Sequence, residues 1–418
     1  MKTLFFDIET NAIEDWTNLS DLKTVHCLSI YDPTIPKMIT YHGAGIENGL
    51  RELAKADKIV GHNVIGFDLP ALSKLYNFHP ALVKVLDTMV MARCIVPDVR
   101  NDDFMRKDFD KTLVGSHSLK AWGKRMHKVT KLSYGEEDGA FDSYNEEMRK
   151  YCERDVIVTQ LLFDYLLSKE PSEHMLAVEH WFAFLMHRQE KRGFSFDVEK
   201  AERLELKLIG RRADLRDKLQ NEFPAKTEEM KTPSGWQVEI DGVTYEAETK
   251  VLLKQVLKEA KQVQARVKDA VPLANKQKVL PFNPGSRQQI AERMLELGYE
   301  LPKEPDAATP KVDKAVLKGI DHPFAAVLCE YLLVAKRLGQ LAEGNQAWLK
   351  LMKHGRLHGR VNTNGAVTGR CTRQNPNMAQ VPACRAEYGQ ECRDLFKAGK
   401  GFKLVGCDVA GLELRILA

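Results

Sequence analysis

The sequence predicts an α/β fold for residues 1 to about 168 and a mainly helical region after it. Two observations support this prediction. In the first part, short apolar runs rich in β-branched and aromatic residues alternate with segments of helical periodicity, which is typical of a sheet covered by helices. From residue 172 onward, apolar residues recur at three- and four-residue spacing, which favours long helices. A chain of 418 residues can form roughly two to four domains.

The amino-acid composition limits the kinds of binding surface and cellular location that this protein can have. The net charge is only +4, so a surface for nucleic acid must be local. The eight cysteines include no C-x-x-C pair, and we interpret them as reduced thiols. No apolar run approaches the roughly 20 residues that span a bilayer, and the N-terminus carries no cleavable signal. We therefore expect a soluble cytoplasmic protein, in the host cytoplasm if it is phage-encoded, without a membrane partner.

The first predicted strand, residues 4–10, carries two acids. Because side chains alternate along a strand, Asp7 and Glu9 project from one face while Phe6 and Ile8 project from the other. Neighbouring carboxylates repel each other and are costly to bury, and a hard cation such as Mg²⁺ or Mn²⁺ offsets both costs. The alternative is a solvated strand end with two ordinary acids, since Asp-x-Glu is a short motif.

The next elements alternate between strand and helix. Apolar and β-branched runs bounded by turn residues predict strands at residues 25–31, 37–41 and 58–61, with a short helix at 49–56. A further helix is expected where Pro70 would stand in the first turn. Asp68, just before it, then has two interpretations, as the N-cap of that helix or as a catalytic carboxylate.

The stretch 151–162 combines good helix formers with an apolar stripe, which predicts an amphipathic helix. Tyr151 and Asp155 are four residues apart and so lie on one face. A phenol one turn from a carboxylate can hold a water or a phosphate oxygen beside a metal ion. A surface tyrosine and a surface acid are the alternative.

Between these motifs, residues 115–123 contain His117, which we interpret as structural because it stands in a loop that leads into a helix. Five nearby cations indicate either a solvated basic face or a guide for a single strand. They are Lys120, Lys124, Arg125, Lys128 and Lys131.

The second part of the chain is predicted to contain an insertion at about 223–280. An Asp241-Gly242 turn predicts a hairpin around residues 236–245, followed by a lysine-rich helix from about 250 to 267. Between Lys250 and Lys278, eight Lys/Arg stand against two acids. Beyond the insertion we expect a helix opening near Arg287 and a long helix over 325–351.

The three acidic motifs together resemble those of proofreading 3′–5′ exonucleases of the DEDD group, in the subclass with a tyrosine in its third motif. This resemblance implies a ribonuclease-H-like fold and two Mg²⁺ ions, which Mn²⁺ can replace. The match is residue by residue at Asp7, Glu9, Asn63, Asp68, Tyr151 and Asp155.

The same resemblance implies a role for each side chain. Asp7 would bridge both ions, and Glu9 and Asp155 would complete one ion site. Asp68 would serve the other ion directly or through water. Tyr151 would orient the water that attacks the scissile phosphate.

Two later runs resemble the DNA polymerase I-type (family A) DNA polymerases, in particular those of short-tailed bacteriophages. One is Ala366-Val367-Thr368-Gly369-Arg370, and the other is Cys407-Asp408-Val409-Ala410-Gly411-Leu412-Glu413. The resemblance implies that Arg370 contacts the primer–template, that Asp408 binds catalytic metals on a palm strand, and that Glu413 helps to exclude ribonucleotides. Ala410 departs from the family's usual serine.

The resemblance extends over the whole chain and implies three regions. These are an exonuclease domain at 1–170, a thumb at 171–354 with the insertion, and the start of a palm at 355–418. A processivity factor is expected at the insertion, and its identity, thioredoxin or another protein, stays open. DNA, as a single-stranded 3′ end or a primer–template, is expected to contact Asn63, Arg287, Lys336, Arg337 and Arg370.

The family's fingers and its second palm motif, His-Asp-Glu, do not occur within the 418 residues. We therefore expect either a truncated form or the N-terminal half of a split polymerase. In both cases nucleotide insertion would need a complementary fragment. Two alternatives share the acids: a free-standing exoribonuclease of the ribonuclease D type, and a non-catalytic binding subunit.

Overall fold

A computed structural model describes residues 2–11, 13, 19–126, 134, 139–261, 264–303 and 310–417. The chain divides into two compact units. The first comprises Met1–Val198 together with Asn345–Ala418, and the second comprises Glu199–Gly344. Among the helices described, none combines the length and the apolar character needed to cross a membrane.

A five-stranded mixed sheet forms the centre of the first unit, in the order β3-β2-β1-β4-β5. Strand β1 pairs antiparallel with β2 and parallel with β4. The four predicted strands are confirmed, whereas the three-residue β5 was not predicted because so short a run shows no alternation. The strands are β1 (Thr3–Thr10), β2 (Val25–Asp32), β3 (Lys37–His42), β4 (Lys58–Gly61) and β5 (Val85–Asp87).

Among the described residues, seven helices accompany this sheet, and both of its faces are covered. Phe6 and Ile8 lie in one core with residues of the first two helices, while Phe5 lies in the other core, where its ring contacts that of Phe163 at 5.4 Å between centroids. The helices are α1 (Ile46–Lys55), α2 (Asp68–Tyr76), α3 (Thr88–Ile95), α4 (Arg100–Met105), α5 (Leu119–Met126), α6 (Glu146–Leu167) and α7 (Glu173–Arg192).

The second unit contains the predicted hairpin, which is confirmed. Strand β8 turns into β9 through Asp241 and Gly242, whose φ values of 52° and 79° favour a tight hairpin turn. The outer strands β7 and β11 pair antiparallel with each other. The bounds here are α8 (Val198–Glu222), β7 (Lys226–Pro233), β8 (Trp236–Ile240), β9 (Val243–Ala247), α9 (Lys250–Glu259), β10 (Val271–Pro272) and β11 (Asn275–Leu280).

Two helix predictions in this unit are wrong in extent. Helix α9 ends at Glu259 rather than near residue 267, because its buried face ends with Leu257 and Lys261 takes a left-handed φ of 58°. The helix expected over 325–351 ends at Leu338, where a π-helical turn follows over Gly339–Glu343. The remaining helices of the unit are α10 (Arg287–Glu296), α11 (Lys314–Lys318) and α12 (Pro323–Leu338).

Residues 345–417 complete the first unit. Strand β6 (Phe194–Ser195) pairs with β12 (Arg356–Leu357), and α7 packs against β13. The expected palm strand at Asp408 is wrong, since residues 402–409 form no strand. A strand requires a hydrogen-bonded neighbour, and no described strand pairs with this segment. The other elements are α13 (Trp348–Leu351), β13 (Arg360–Asn362), β14 (Thr372–Gln374), α14 (Gly389–Arg393) and α15 (Leu412–Leu417).

Candidate active site

Strand β1 presents Asp7 and Glu9 on the face that also carries Phe5, as the alternation predicts. In the antiparallel ladder, Asp7 stands opposite Ser29 and Glu9 opposite Cys27 of β2. The ligand atoms of Asp7, Glu9 and Cys152 all lie within 4.8 Å of one another. The two acids are therefore held side by side at a largely buried position rather than at a solvated strand end.

Helix α6 brings the third motif to this face. Asn145 caps the helix, since its side chain accepts a hydrogen bond from the amide of Met148 at 2.8 Å. One turn later, Sγ of Cys152 donates to the backbone carbonyl of Asp7 at 3.4 Å. Asp155, three residues beyond Cys152, is buried, and Tyr151 is half-buried on the same side of the helix. Helix α6 therefore packs on β1, and the charge of Asp155 acts on Asp68.

Asp68 reaches the same place from α2. It is the first residue of that helix, whose N-cap is Phe67, so the N-cap interpretation is wrong. Its carboxylate is buried, and Oδ1 accepts no hydrogen bond within the described part of the chain. Burial, together with the negative charges of Asp87 and Asp155, raises the pKa of Asp68 to about 7, against the lowering effect of nearby backbone groups.

A buried aspartate that the sequence reasoning missed shapes the loop before α2. The carboxylate of Asp87 accepts hydrogen bonds from the amides of Asn63, Ile65 and Met89 at 2.9, 3.0 and 2.9 Å. It thereby caps α3 and fixes Asn63 in a left-handed conformation with φ 64°. An Asp-Thr pair before an apolar helical run was the signal that could have found it.

We use the name acidic cluster for Asp7, Glu9, Asp68 and Asp155. Four carboxylates in a buried region suit a hard divalent cation such as Mg²⁺ or Mn²⁺, which prefers oxygen ligands. The unbonded Oδ1 of Asp68 fits the same role. Cys152 is close enough to take part, but burial and the neighbouring Cys27 raise the pKa of its thiol well above the usual range. A protonated thiol is a poor ligand for such an ion, so we assign Cys152 to packing.

The cations near α5 differ in exposure, and Lys120 is exposed, as expected for a solvated face. Arg125 is buried, and its guanidinium donates to both carboxylate oxygens of Asp103 at 2.9 and 2.8 Å. Lys124 pairs with Asp110 at 3.3 Å. Lys128 and Lys131 lie outside the described residues. The partner of Arg125 stands 22 residues earlier in the chain, so its burial was not predictable from local charge.

The residues expected for polymerase chemistry lie in the last part of the first unit. Asp408 is exposed in the loop before α15. Arg370 donates to Glu413 at 2.6 Å, although both side chains are largely exposed. The structure therefore brings Arg370 and Glu413 together but not Asp408. Solvent screens the ion pair between Arg370 and Glu413, so it contributes little stability.

Three residues expected to contact DNA lie in the second unit. Arg287 is exposed at the start of α10, and Lys336 is exposed on α12. Arg337 is buried, and its Nη1 donates to Gln340 at 2.9 Å. Arg287 and Lys336 are therefore accessible in this conformation, and Arg337 is largely covered.

Comparison with known proteins identifies the family. A family model for DNA polymerase family A matches residues 249–418. Over 99% of its length the chain is 34% identical to the DNA-directed DNA polymerase of Escherichia phage T7, and it covers 68% of that relative. The chain belongs to DNA polymerase family A. The corresponding enzyme of Enterobacteria phage T3 is 33% identical over 99% of the chain, with 69% of that relative covered.

Other members of family A show the same relationship over shorter spans. The thermostable DNA polymerase I of Thermus thermophilus is 35% identical over 33% of this chain. In fold, the chain resembles the POL domain of Pol1 from M. smegmatis, solved with DNA primer–template and dNTP, with a TM-score of 0.57 and 14% identity. That match covers 96% of this chain and 55% of the solved one, so the chain spans about half of the solved polymerase. The predicted family is confirmed, and these findings do not support the ribonuclease D alternative.

Proposed function

We propose that this family A polymerase chain is also a 3′–5′ proofreading exonuclease that removes nucleotides from single-stranded DNA ends. The acidic cluster is the observation that supports this proposal. Its four carboxylates come from three elements that are far apart in sequence. Gathering them in a buried region costs stability, so a fold keeps such a cluster where it has a function.

The residues of the cluster have distinct tasks. Asp7, Glu9, Asp68 and Asp155 would hold the metal ions. When bound, two Mg²⁺ or Mn²⁺ ions supply charge neutralisation and Lewis-acid activation for phosphodiester hydrolysis. Tyr151 orients the attacking water through its phenol.

The reaction is a hydrolysis at the terminal phosphodiester. The oxygen of water forms a new bond to phosphorus, and the bond from phosphorus to the 3′-oxygen of the preceding nucleotide breaks. The proton lost from water leaves to solvent, and the leaving 3′-oxygen takes up a proton. The products are a nucleoside 5′-monophosphate and a strand one nucleotide shorter with a free 3′-hydroxyl. Asn63, in the loop that Asp87 fixes, contacts the terminal nucleotide.

The second part of the proposal concerns nucleotide insertion on a primer–template. Asp408 would supply a metal ligand for this reaction, Arg370 would contact the primer–template, and Glu413 would select against ribonucleotides. Family membership supports these roles. Two-metal transfer uses carboxylates from two motifs, so a segment carrying the second motif, on another chain or on a longer form of this one, completes the site.

Digestion of an end-labelled DNA strand tests the exonuclease proposal. With Mg²⁺ we expect stepwise shortening from the 3′ end, and the double variant Asp7→Ala/Glu9→Ala should lose more than about a hundredfold in rate. The matched control is Glu47→Ala/Asp57→Ala, which removes two exposed acids of the same unit. Equal rates for the two double variants would contradict the site assignment. An RNA strand of the same sequence, digested faster than DNA, would favour a ribonuclease.

A further inference from the structure

A cleft of about 330 Å³ lies beside the loop that carries Asn63 and leads into Asp68. Its walls come from that loop, from α3, from α7 and from β13, all within the first unit. The polar side chains that line it include Asn63, Arg93, His187, Glu190, Lys191 and Arg360. The cleft is lined by Phe67, the residue before Asp68, and by none of the four acids of the acidic cluster themselves.

Helical spacing explains why these side chains converge. On α3, Arg93 follows Met89 by four residues, so both side chains lie on the face that borders the cleft. On α7, Ala183 and His187 are four residues apart, and Lys191 follows after four more. Strand β13 packs against α7 and contributes Arg360.

Two guanidinium groups of the cleft lack a direct protein partner among the described residues. Within the described part of the chain, neither Arg93 nor Arg360 forms an ion pair or a hydrogen bond. Burial lowers the pKa of Arg93, the positive charge of Arg360 lowers it further, and the negative charge of Asp87 acts in the opposite direction. Arg360 is exposed, and its charge opposes the rise that burial causes in the pKa of Glu190. Two guanidinium groups that repel each other across a cleft are stabilised by an anion between them.

Two other arginines of the same unit have direct partners within the protein. Arg125 forms a two-point ion pair with Asp103. Arg356 donates to the backbone carbonyls of Arg192 and Gly193. Half-buried Arg93 forms no hydrogen bond or ion pair of this kind among the described residues, so its guanidinium is available to an anion in the cleft.

The neighbouring groups indicate a singly charged anion. Asp87 and Glu190 also border the cleft, so its net positive charge is small. Burial and the nearby cations lower the pKa of His187 to about 4, so this ring is neutral at neutral pH and can donate one hydrogen bond without adding charge. A phosphodiester carries one negative charge and several acceptor oxygens, which matches this set of donors.

We propose that Arg93 and Arg360 together bind one backbone phosphate of the single DNA strand whose 3′ end enters the acidic cluster. This inference rests on the proposed exonuclease function, and it names the residues that hold the strand beside the reacting bond. Both arginines are positioning residues, since neither belongs to the acidic cluster.

Binding of a fluorescent decathymidylate to the full chain tests the inference by anisotropy. The variant Asp7→Ala/Glu9→Ala serves as the background so that the strand stays intact. Adding Arg93→Gln and Arg360→Gln should weaken binding about tenfold, and the slope of log K against log salt should fall in magnitude by about 0.7 for the lost phosphate contact. Arg93→Lys with native Arg360 should keep most of the slope. Arg51→Gln, an exposed arginine on α1, should change neither quantity.

Three outcomes would overturn the inference. One is a slope and affinity that stay unchanged in the double arginine variant. Another is weaker binding with an unchanged slope, which would indicate a reshaped cleft rather than a lost phosphate contact. The third is equal loss of affinity for free thymidine 5′-monophosphate, which would assign the cleft to a nucleotide instead of a strand.

The binding assay is independent of hydrolysis, so the two proposals fail separately. A lowered slope together with no DNA digestion by the wild-type chain would leave the phosphate site standing and reject the exonuclease. DNA digestion by the wild-type chain, together with an unchanged salt slope in the double arginine variant, would support the exonuclease and reject the phosphate site. A thermal melt of each variant shows whether it is folded, and the Arg93→Lys variant gives the decisive comparison if Arg93→Gln unfolds.

Discussion

The thiol of Cys152 donates a hydrogen bond to the backbone carbonyl of Asp7, with 3.4 Å between Sγ and the oxygen. This contact joins α6 to β1 at the acidic cluster. Cys152 is fully buried beside Cys27 and Met148, so no water can replace it. The position of Asp155, one turn further along α6, therefore depends on a small side chain that takes no part in the chemistry.

Replacing Cys152 by alanine should loosen this junction. The variant loses a weak hydrogen bond and leaves a small cavity, so we expect about 1–2 kcal/mol less stability. Exonuclease activity should fall several-fold because Asp155 shifts relative to Asp7. Urea unfolding and DNA digestion measure the two effects. Cys384→Ala, at an exposed cysteine, is the control, and an equal loss in both variants would contradict this role.

Replacing a buried aspartate by asparagine should raise the stability of the protein at Asp68 and lower it at Asp87. Asp68→Asn removes a carboxylate that burial and like charges destabilise, so the metal-free protein should gain about 1 kcal/mol or more. Asp87→Asn removes the acceptor of three backbone amides, so that variant should lose about 1–3 kcal/mol. Thermal melts in a chelator distinguish them. Destabilisation by both changes would show that Asp68 is a structural acid.

His117 should make the protein sensitive to acid. Burial, with the nearby charges of Arg93 and Arg125, lowers the pKa of this histidine to about 4. The neutral folded form stabilises the protein above the unfolded pKa, near 6.5, and this contribution is lost as the pH falls toward 4. The loss is of the order of 3 kcal/mol. In His117→Gln the midpoint of thermal unfolding should fall less between these pH values, whereas His174→Gln, an exposed histidine, should behave like the wild type.

The insertion should be removable without unfolding the rest. It has its own small core, which includes Val238, Ile240, Leu253 and Leu257. Its ends are adjacent, since Lys226 of β7 pairs with Leu280 of β11. A short Gly-Ser link in place of residues 226–280 should therefore leave the melting of the remaining chain within a few degrees. Loss of the folded circular-dichroism signal would show that the insertion is structural. If the insertion contributes DNA or partner affinity, the deletion should weaken binding to a primer–template.

A substitution at Asp408 should affect nucleotide insertion without affecting DNA degradation. Mixed with a fragment carrying the fingers and the second palm motif, the chain should extend a primer, and Asp408→Ala should abolish extension while exonuclease activity changes less than about twofold. Primer extension and strand digestion on the same preparation provide the measurement. Robust templated synthesis by the 418-residue chain alone would contradict the need for a second segment.

Local pattern was sufficient for much of the fold and failed at identifiable places. Strand β1 and the Asp241-Gly242 hairpin were predictable because alternation and turn chemistry are properties of neighbouring residues. The prediction of one helix over 325–351 was wrong because the apolar periodicity continues through Gly339, whereas the backbone changes to a π-helical turn there. The prediction of a strand at Asp408 was wrong because a strand depends on a hydrogen-bonded neighbour elsewhere in the chain.

The sequence by itself determined the family, the identity of the acids in the three motifs and the shared face of Asp7 and Glu9, since each is set by residue type and spacing. Only the tertiary structure decided that Asp68 is buried as the first residue of α2, that Cys152 and Asp87 support the acidic cluster, and that Arg93 and Arg360 face one cleft. These relationships join residues tens to hundreds of positions apart. The physical reason is that burial and electrostatic coupling act through space, so they are set by how helices pack on the sheet rather than by neighbours in the chain.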